Sequence, residues 1–350
     1  MNLRRAVFRV DASLQIGTGH VMRCLTLANG LAKHGVISTF LCRDHDGHLA
    51  DSIRSNGHSV HMLDRRSTRE SDGKTAHSAW LGTTIQNDAM ECRDVVAERS
   101  PDVLVVDHYA LDASWREALT YGAPLFALDD LADRPIDADV LLDQNLGRLE
   151  SDYDGLLPPS ARRLIGPQYA LLRPEFAQRR DASLTRRHGQ VERVLVALGG
   201  VDQDNATSDI LRALARLGIE IDVVLGATAP HVKEVTELAQ YQGATVHIAT
   251  NQIATLMQKA DLAIGGAGTT SWERCALGLP TIVLVLADNQ RPAADALAAT
   301  GAAWVIHSAE ETGEAIRYLG QEKRLLDMAK CTSHVTDGRG LSRVLEVLMQ

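Results

Sequence analysis

Aromatic residues are scarce in this 350-residue chain, at 4% Phe, Trp and Tyr. That scarcity argues against an aromatic-rich β-sandwich and fits strands and helices built from Val, Leu, Ile and Ala, within a hydrophobic content of 45%. Cysteine is sparse and unpatterned. Cys24, Cys42, Cys92, Cys275 and Cys331 are odd in number and never spaced Cys-x-x-Cys, which excludes a zinc or redox-pair motif and points to the reducing cytoplasm. Positive charge is not in excess either: the formal net charge is −9 and the pI is near 5.8. A broad nucleic-acid footprint needs clustered Lys and Arg, so no nucleic-acid partner is expected. Small anions stay open, because backbone amides bind them without net positive charge. No apolar run approaches the ~20 residues that span a bilayer. The strongest, at 281–287, is far shorter, and the opening Met1-Asn-Leu-Arg-Arg lacks the apolar core and cleavage site of a signal peptide. Neither secretion nor membrane insertion is expected, and no pattern in the chain specifies an oligomeric state.

What the chain has is alternation. Short apolar runs at 6–10, 38–42, 60–63, 103–106, 125–128 and 140–142 read as strands, separated by helical spacing from Val21 to Leu31, at 81–98 and at 112–121. Strand 191–198 restarts the pattern, with a helix from about Asn205 and further strands at 262–264 and 281–286. The length suits two α/β domains. The fold expected is two doubly wound Rossmann-like domains facing a cleft, with function at the carboxyl ends of parallel strands. The first domain covers 1–176 and the second 191–330. Residues 177–190 are polar, basic and without apolar periodicity, and read as the linker. Residues 331–350 form a C-terminal helix that packs back on the first domain. Arg65 to Lys74 is polar throughout and reads as an exposed loop.

The stretch Gly17-Thr-Gly-His-Val-Met-Arg-Cys24 carries the first chemical signal. A glycine turn after the first strand delivers His20 to a helix N-terminus, where an imidazole, with an ordinary pKa of ~6.5, can take a proton from water. Gly17 and Gly19 resemble a dinucleotide-binding turn, but its third glycine would fall at Met22, whose bulk obstructs close helix-to-strand packing. Asp11, at the end of the first strand, is placed to orient the imidazole or hold a substrate hydroxyl. Asp107-His-Tyr109 and Asp129-Asp130 follow later strands toward the same cleft. Their aspartates equally suit helix capping, whereas the Tyr109 phenol can orient a sugar hydroxyl or a water. Asp44-His-Asp46, Asp137-Ala-Asp139 and Asp202-Gln-Asp204 match an Asp-x-Asp metal pattern too short to carry weight, and no metal is assigned.

Strand 262–264 leads into Gly265-Gly-Ala-Gly268-Thr-Thr-Ser271, the second signal. Small residues at Gly266, Ala267 and Gly268 let a ligand approach the backbone, Thr269 and Thr270 offer hydroxyls, and free amides favour a diphosphate. The loop is not a Walker A motif, which would require a Lys-Ser/Thr pair. Glu273 either completes a capping box with Thr270 or accepts the hydroxyls of a ribose. Gly199-Gly200 forms a second close-approach loop on the same sheet edge. Asn289 and Gln290 either read a sugar with their amides or cap the helix starting near Pro292.

Taken together, the opening Phe8 to Arg23, Asp107-His-Tyr109, Tyr169-Ala-Leu-Leu-Arg-Pro-Glu-Phe176, Gly199-Gly-Val-Asp202 and Asn289-Gln290 resemble a nucleotide-sugar hydrolase family of the pseudaminic acid pathway. That family hydrolyses UDP-2,4-diacetamido-2,4,6-trideoxy-β-L-altropyranose. The resemblance spans nearly the whole chain and is shared by spore-coat polysaccharide proteins. It implies a GT-B-like fold, similar to the glycosyltransferase that makes the lipid-linked peptidoglycan precursor. It also implies that His20 is the catalytic base, that Tyr109 lies near the reacting centre, and that Asn205 and Asn289 contact substrate. The loop from Gly266 to Thr270, with Glu273, would hold UDP. The expected partner is a UDP-sugar and no cofactor is implied. Water would attack the anomeric carbon with inversion, while loop amides stabilise the departing UDP. The glycine-rich loop is also glycosyltransferase-like, so transfer to an acceptor stands as the alternative. A noncatalytic nucleotide-sugar sensor is the third reading.

Overall fold

A computed structural model of the chain describes residues 3–64, 75–215, 217–227, 229–286 and 290–350. The chain forms two compact units, one made of 1–171 with 341–350 and the other of 172–340.

Unit 1 is built on a seven-stranded sheet: β1 (Arg5–Val10), β2 (Ile37–Arg43), β3 (Ser59–Leu63), β4 (Val103–Asp107), β5 (Leu125–Leu128), β6 (Val140–Asp143) and β7 (Arg162–Ile165). The spatial order is β3-β2-β1-β4-β5-β6-β7, with every pairing parallel. Its helices are α1 (Gly19–Ala32), α2 (Ala50–Ser55), α3 (Ile85–Arg99) and α4 (Ala113–Leu119). A parallel sheet is covered on both faces, which is why its strands read as near-continuous Val, Leu and Ile. In β1, Phe8 and Val10 enter the core shared with α1, where Phe8 stacks on Phe40 at 4.6 Å, while Val7 enters the opposite core with α3 and α4.

Unit 2 carries β8 (Arg193–Ala197), β9 (Glu220–Leu225), β10 (Thr245–Ile248), β11 (Leu262–Gly265), β12 (Thr281–Leu284) and β13 (Ala303–Ile306). Their order is β10-β9-β8-β11-β12-β13, again all parallel. The accompanying helices are α5 (Pro174–Thr185), α6 (Ala206–Leu214), α7 (Val232–Gln242), α8 (Ile253–Lys259), α9 (Thr270–Ala276), α10 (Arg291–Ala299), α11 (Thr312–Leu319) and α12 (Glu322–Val335). The chain then returns to unit 1 as α13 (Gly340–Met349), whose Leu341 and Leu345 pack so closely on Gly30 of α1 that an added Cβ there would meet them at 3.0–3.1 Å. Only α13 makes that return, since α12 belongs to unit 2.

The expected doubly wound architecture is therefore present twice. In each sheet the strand order reverses direction at one place, between β1 and β4 and between β8 and β11. Ligands of open α/β sheets bind outside the carboxyl ends of the strands at such switch points.

The expected linker differs. Residues 174–185 are helical, and the chain passes between units at Leu171–Leu172. The basic residues of this segment are not a solvated run. Arg180 donates to the carbonyls of Ala276 (2.6 Å) and Ser333 (2.7 Å), and Arg186 and Arg187 donate to that of Ala260. Guanidiniums thus satisfy the free carbonyls at the ends of α8, α9 and α12, a polar use that apolar periodicity does not register. Met22 also departs from expectation. It is 42% exposed, so its bulk turns away from the strand. The polar stretch from Arg65 to Lys74 lies outside the described residues.

Under the carboxyl end of β1 lies a buried charge network. Arg9 holds Asp11 through two bonds of 2.7 and 2.9 Å and Asp88 through two of 3.0 and 2.6 Å. Asp88 also accepts from Arg43 (2.7 Å) and the Trp115 indole (2.9 Å). Removing one member of a buried pair strands the other. Asp88→Ala is expected to destabilise unit 1 by roughly 3–5 kcal/mol in urea denaturation, and a loss below 1 kcal/mol would show that the network carries no net stability.

Candidate functional site

At the switch point of unit 1, Gly17 turns the chain with φ +82°, a conformation strained for any side chain, and its N–H donates to the Ser13 carbonyl at 2.8 Å. Gly19 then opens α1, with Thr18 at the cap and no side-chain cap bond. His20 and Arg23 sit three residues apart and so share a helix face. Both reach the Asp107 carboxylate at the end of β4. The His20 Nδ1 is 2.6 Å from Oδ1, and Arg23 donates from Nε to Oδ2 at 2.6 Å and from Nη2 to Oδ1 at 2.7 Å. Burial alone would raise the Asp107 carboxyl, but the charges and hydrogen bonds of Arg23 and His20 hold it well below the usual carboxylate range.

Arg23 continues through Nη1 to Asp130 Oδ2 at 2.6 Å, and the same oxygen accepts the Tyr109 hydroxyl at 2.5 Å. Burial, and then the charge of Asp130, push the Tyr109 phenol up, so it stays a protonated donor. Its ring meets that of His20 edge-on at 4.6 Å, with Trp80 stacked at 5.8 Å and His77 at 5.3 Å. His20 and Tyr109 are therefore together, as expected, although the phenol is committed to Asp130.

Asp11 does not orient His20. It is 1% exposed and engaged by Arg9, by the Arg43 amide at 2.7 Å and, at 3.2 Å, by His108 Nε2. Burial drives the His108 imidazole down against the opposing pull of that carboxylate. Asp11 supports the strand end from below, and Asp107 takes the role assigned to it.

At the switch point of unit 2, β8 runs into Gly199, with φ +131°, and Gly200. The Gly200 carbonyl lies so near Gly226 that a Cβ there would meet it at 1.9 Å. Asp202 caps α6, accepting from the amides of Ala206 and Thr207 at 3.0 Å each, and Asn205 holds φ +57° with a buried Oδ1 that has no partner among the described residues. After β11, Gly265 to Thr269 form the second turn. Gln290 Oε1 accepts from Ala267 N at 3.4 Å and so braces this turn, while Gly268 borders open space. The helix α9 starts after Thr269 without a side-chain cap, so the Thr270–Glu273 capping box does not form. The Glu273 carboxylate instead stands 3.8 Å from Arg173. Asn289 lies outside the described residues.

Residues 203–333 match the glycosyltransferase family 28 C-terminal domain. Crystalline MurG of Acinetobacter baumannii superposes with a TM-score of 0.70 at 16% identity, covering 98% of this chain and 99% of that one. The fold is GT-B. In sequence, the chain is 26% identical to the UDP-2,4-diacetamido-2,4,6-trideoxy-β-L-altropyranose hydrolase of Campylobacter jejuni, over 85% of this chain and 97% of that protein. It is also 24% identical to the spore coat polysaccharide biosynthesis protein SpsG of Bacillus subtilis, over 97% and 96% of the two chains. No helix among the described residues is long and apolar enough to cross a membrane.

Within this GT-B chain, sequence reasoning places Asp107 and Asp130 at strand ends without pairing either with His20 or Tyr109, and it gives Arg23 of the candidate site no role. The signal was available in part, since Arg23 follows His20 at helical spacing and Asp107 ends the strand beside β1.

Glu273 generates a pH prediction. Burial, against the pull of Arg173, raises its carboxyl from 4.5 to about 7. The folded chain then keeps a proton that the unfolded chain has released, so stability falls as pH rises through that window and the cost is complete above it. Glu273→Gln is expected to stabilise the protein at pH 8 by on the order of 1–3 kcal/mol and to have little effect at pH 4, in parallel urea titrations. Equal effects at both pH values would remove the shifted carboxyl.

Proposed function

We propose that the protein hydrolyses a UDP-linked 2,4-diacetamido-2,4,6-trideoxy sugar to free sugar and UDP, as a step of nonulosonic acid biosynthesis in the cytoplasm. The observation that carries this reading is the Asp107–His20 pair at 2.6 Å on the unit 1 switch point. Among the described residues, the ring's hydrogen bonds are all at Nδ1, which leaves Nε2 to accept a proton from water. Asp107 fixes the tautomer and stabilises the imidazolium that forms, as the carboxylate of a Ser-His-Asp triad does. In unit 2, Gly200 and the Gly266, Ala267, Gly268, Thr269 and Thr270 turn hold the diphosphate. Glu273 accepts the ribose hydroxyls, and Asn205, Asn289 and Gln290 are the further substrate contacts of this unit; Gly17 and Gly19 are those of unit 1. Water attacks the anomeric carbon on the face opposite UDP, the C–O bond to phosphate breaks, and the configuration inverts. The named activity of the Campylobacter relative supports the substrate class.

The family 28 domain favours a second reading, in which His20 activates an acceptor hydroxyl instead of water. Incubation with the nucleotide sugar alone separates the two: sustained UDP release is the hydrolase outcome, and release only on adding acceptor is the transferase outcome.

With hydrolysis run in ¹⁸O-water, the label is expected on the sugar; label in UDP phosphate would refute attack at carbon. His20→Ala is expected to lower kcat by about 10²–10⁴ with UDP affinity nearly unchanged. Asp107→Asn should reduce kcat by at least about 10², and a variant of either kind with near-native turnover would take the dyad out of the chemistry.

A further inference from the structure

Among the described residues five arginines are buried: Arg9, Arg23, Arg43, Arg134 and Arg274. The first four each meet a carboxylate within 2.8 Å. Arg274, on α9 and 2% exposed, forms no ion pair with any described carboxylate, and of these only Glu273 acts on it, at longer range. Its donors go to neutral acceptors, the Gly266 carbonyl at 2.7 Å, Ser271 Oγ at 2.9 Å and Thr270 Oγ1 at 3.3 Å, and its Nε has no partner among the described residues. The guanidinium fills the space under the turn so fully that a Cβ on Gly265 would lie 2.3 Å from Nη1. Burial lowers Arg274 to about 10, which leaves it charged at neutral pH.

A buried cation without a counter-ion is costly, and the cost disappears when an anion arrives. The Gly266 carbonyl is drawn inward onto Arg274. The N–H at the other end of that peptide, on Ala267, donates to Gln290 Oε1 at 3.4 Å. The open side of the turn lies at Gly268, where no atom of the described residues comes within 4 Å of an added Cβ.

We propose that Arg274 is a positioning residue that supplies the charge for a nucleoside diphosphate, acting from beneath the Gly266–Gly268 turn as the counter-ion awaiting the ligand's phosphates. This rests on the reading of the turn as a diphosphate cradle and adds the group that makes it selective for charge. A purely structural brace would affect the whole nucleotide site, whereas a charge-supplying group affects only phosphate-bearing ligands.

The test measures affinity for UDP, pyrophosphate and uridine by calorimetry and ligand-observed NMR in the full chain. Arg274→Gln keeps a hydrogen-bond donor and removes the charge. It is expected to weaken UDP and pyrophosphate by about tenfold or more, with uridine within about twofold. Arg274→Lys is expected to keep the UDP-to-uridine ratio near neutral pH and to lose it at alkaline pH, because a buried ammonium deprotonates far more readily than a guanidinium. Equal loss of UDP and uridine in Arg274→Gln, or unchanged UDP affinity, would overturn the proposal. Should Arg274→Gln not fold, a UDP affinity in Arg274→Lys that tracks the wild type across pH would overturn it too. A wild-type protein that binds neither UDP nor pyrophosphate would remove the cradle itself, and the inference with it.

Discussion

One carboxylate organises unit 1. Asp107 ends a central strand beside β1, fully buried, and accepts three hydrogen bonds from two side chains of a single helix turn. An isolated charge there would be prohibitive, and it is stable only because Arg23 and His20 both face it. The dependence is mutual. Arg23 is held by Asp107 on one side and Asp130 on the other, and Asp130 in turn anchors Tyr109 against the His20 ring. The imidazole's direction is therefore set by strand ends of the sheet through groups that cannot move singly.

The two sheets use the same topological position for opposite electrostatics. In unit 1 the strand ends carry Asp11 and Asp107, each neutralised by an arginine from its own strand or from α1, and the result is an oriented imidazole. In unit 2 the corresponding strand ends carry glycines and no carboxylate, with a guanidinium beneath the turn. A carboxylate at that position would repel a diphosphate, and a bare glycine turn in unit 1 would leave the imidazole free to rotate. Fold alone does not distinguish the two units; the charge placed at the switch point does.

Much of this was legible in the sequence. Period and punctuation locate the central strands of the first sheet and β8, β11 and β12 of the second to within about two residues, because buried parallel strands announce themselves as apolar runs. His20, Tyr109 and the turn after β11 lie at strand ends as expected. The edge strands β7, β10 and β13 escape that reading, since a strand with half-buried faces and only four residues carries little periodicity, and so does the internal β9, whose apolar run is interrupted by Asp222. The helix α5 was misread as linker because its arginines serve carbonyls of other helices, a tertiary role that local pattern does not encode. Asp11, read as orienting the imidazole or holding a substrate hydroxyl, is a candidate because it ends the strand before the glycine turn, yet the adjacent strand at the switch point supplies the imidazole's partner. Pairing across the sheet, with Val10 opposite Asp107, outranks proximity along the chain.

The glycine-rich loop of unit 2 is one motif in sequence and several constraints in space. Gly265 is glycine because Arg274 and the Ala197 carbonyl occupy its Cβ position, and Gly226 is glycine because the Gly200 carbonyl does. These are packing requirements internal to the fold. Gly268 differs: no atom of the described residues lies within 4 Å of its missing Cβ, and its φ is not in the left-handed region, so neither packing nor backbone conformation demands glycine there. What distinguishes it is the open side of a turn whose Gly266 carbonyl is held by a buried guanidinium and whose Ala267 amide is held by Gln290. On the proposed reading of the turn as a phosphate cradle, Gly268 is the position in the loop where absence of a side chain would serve a ligand rather than the protein.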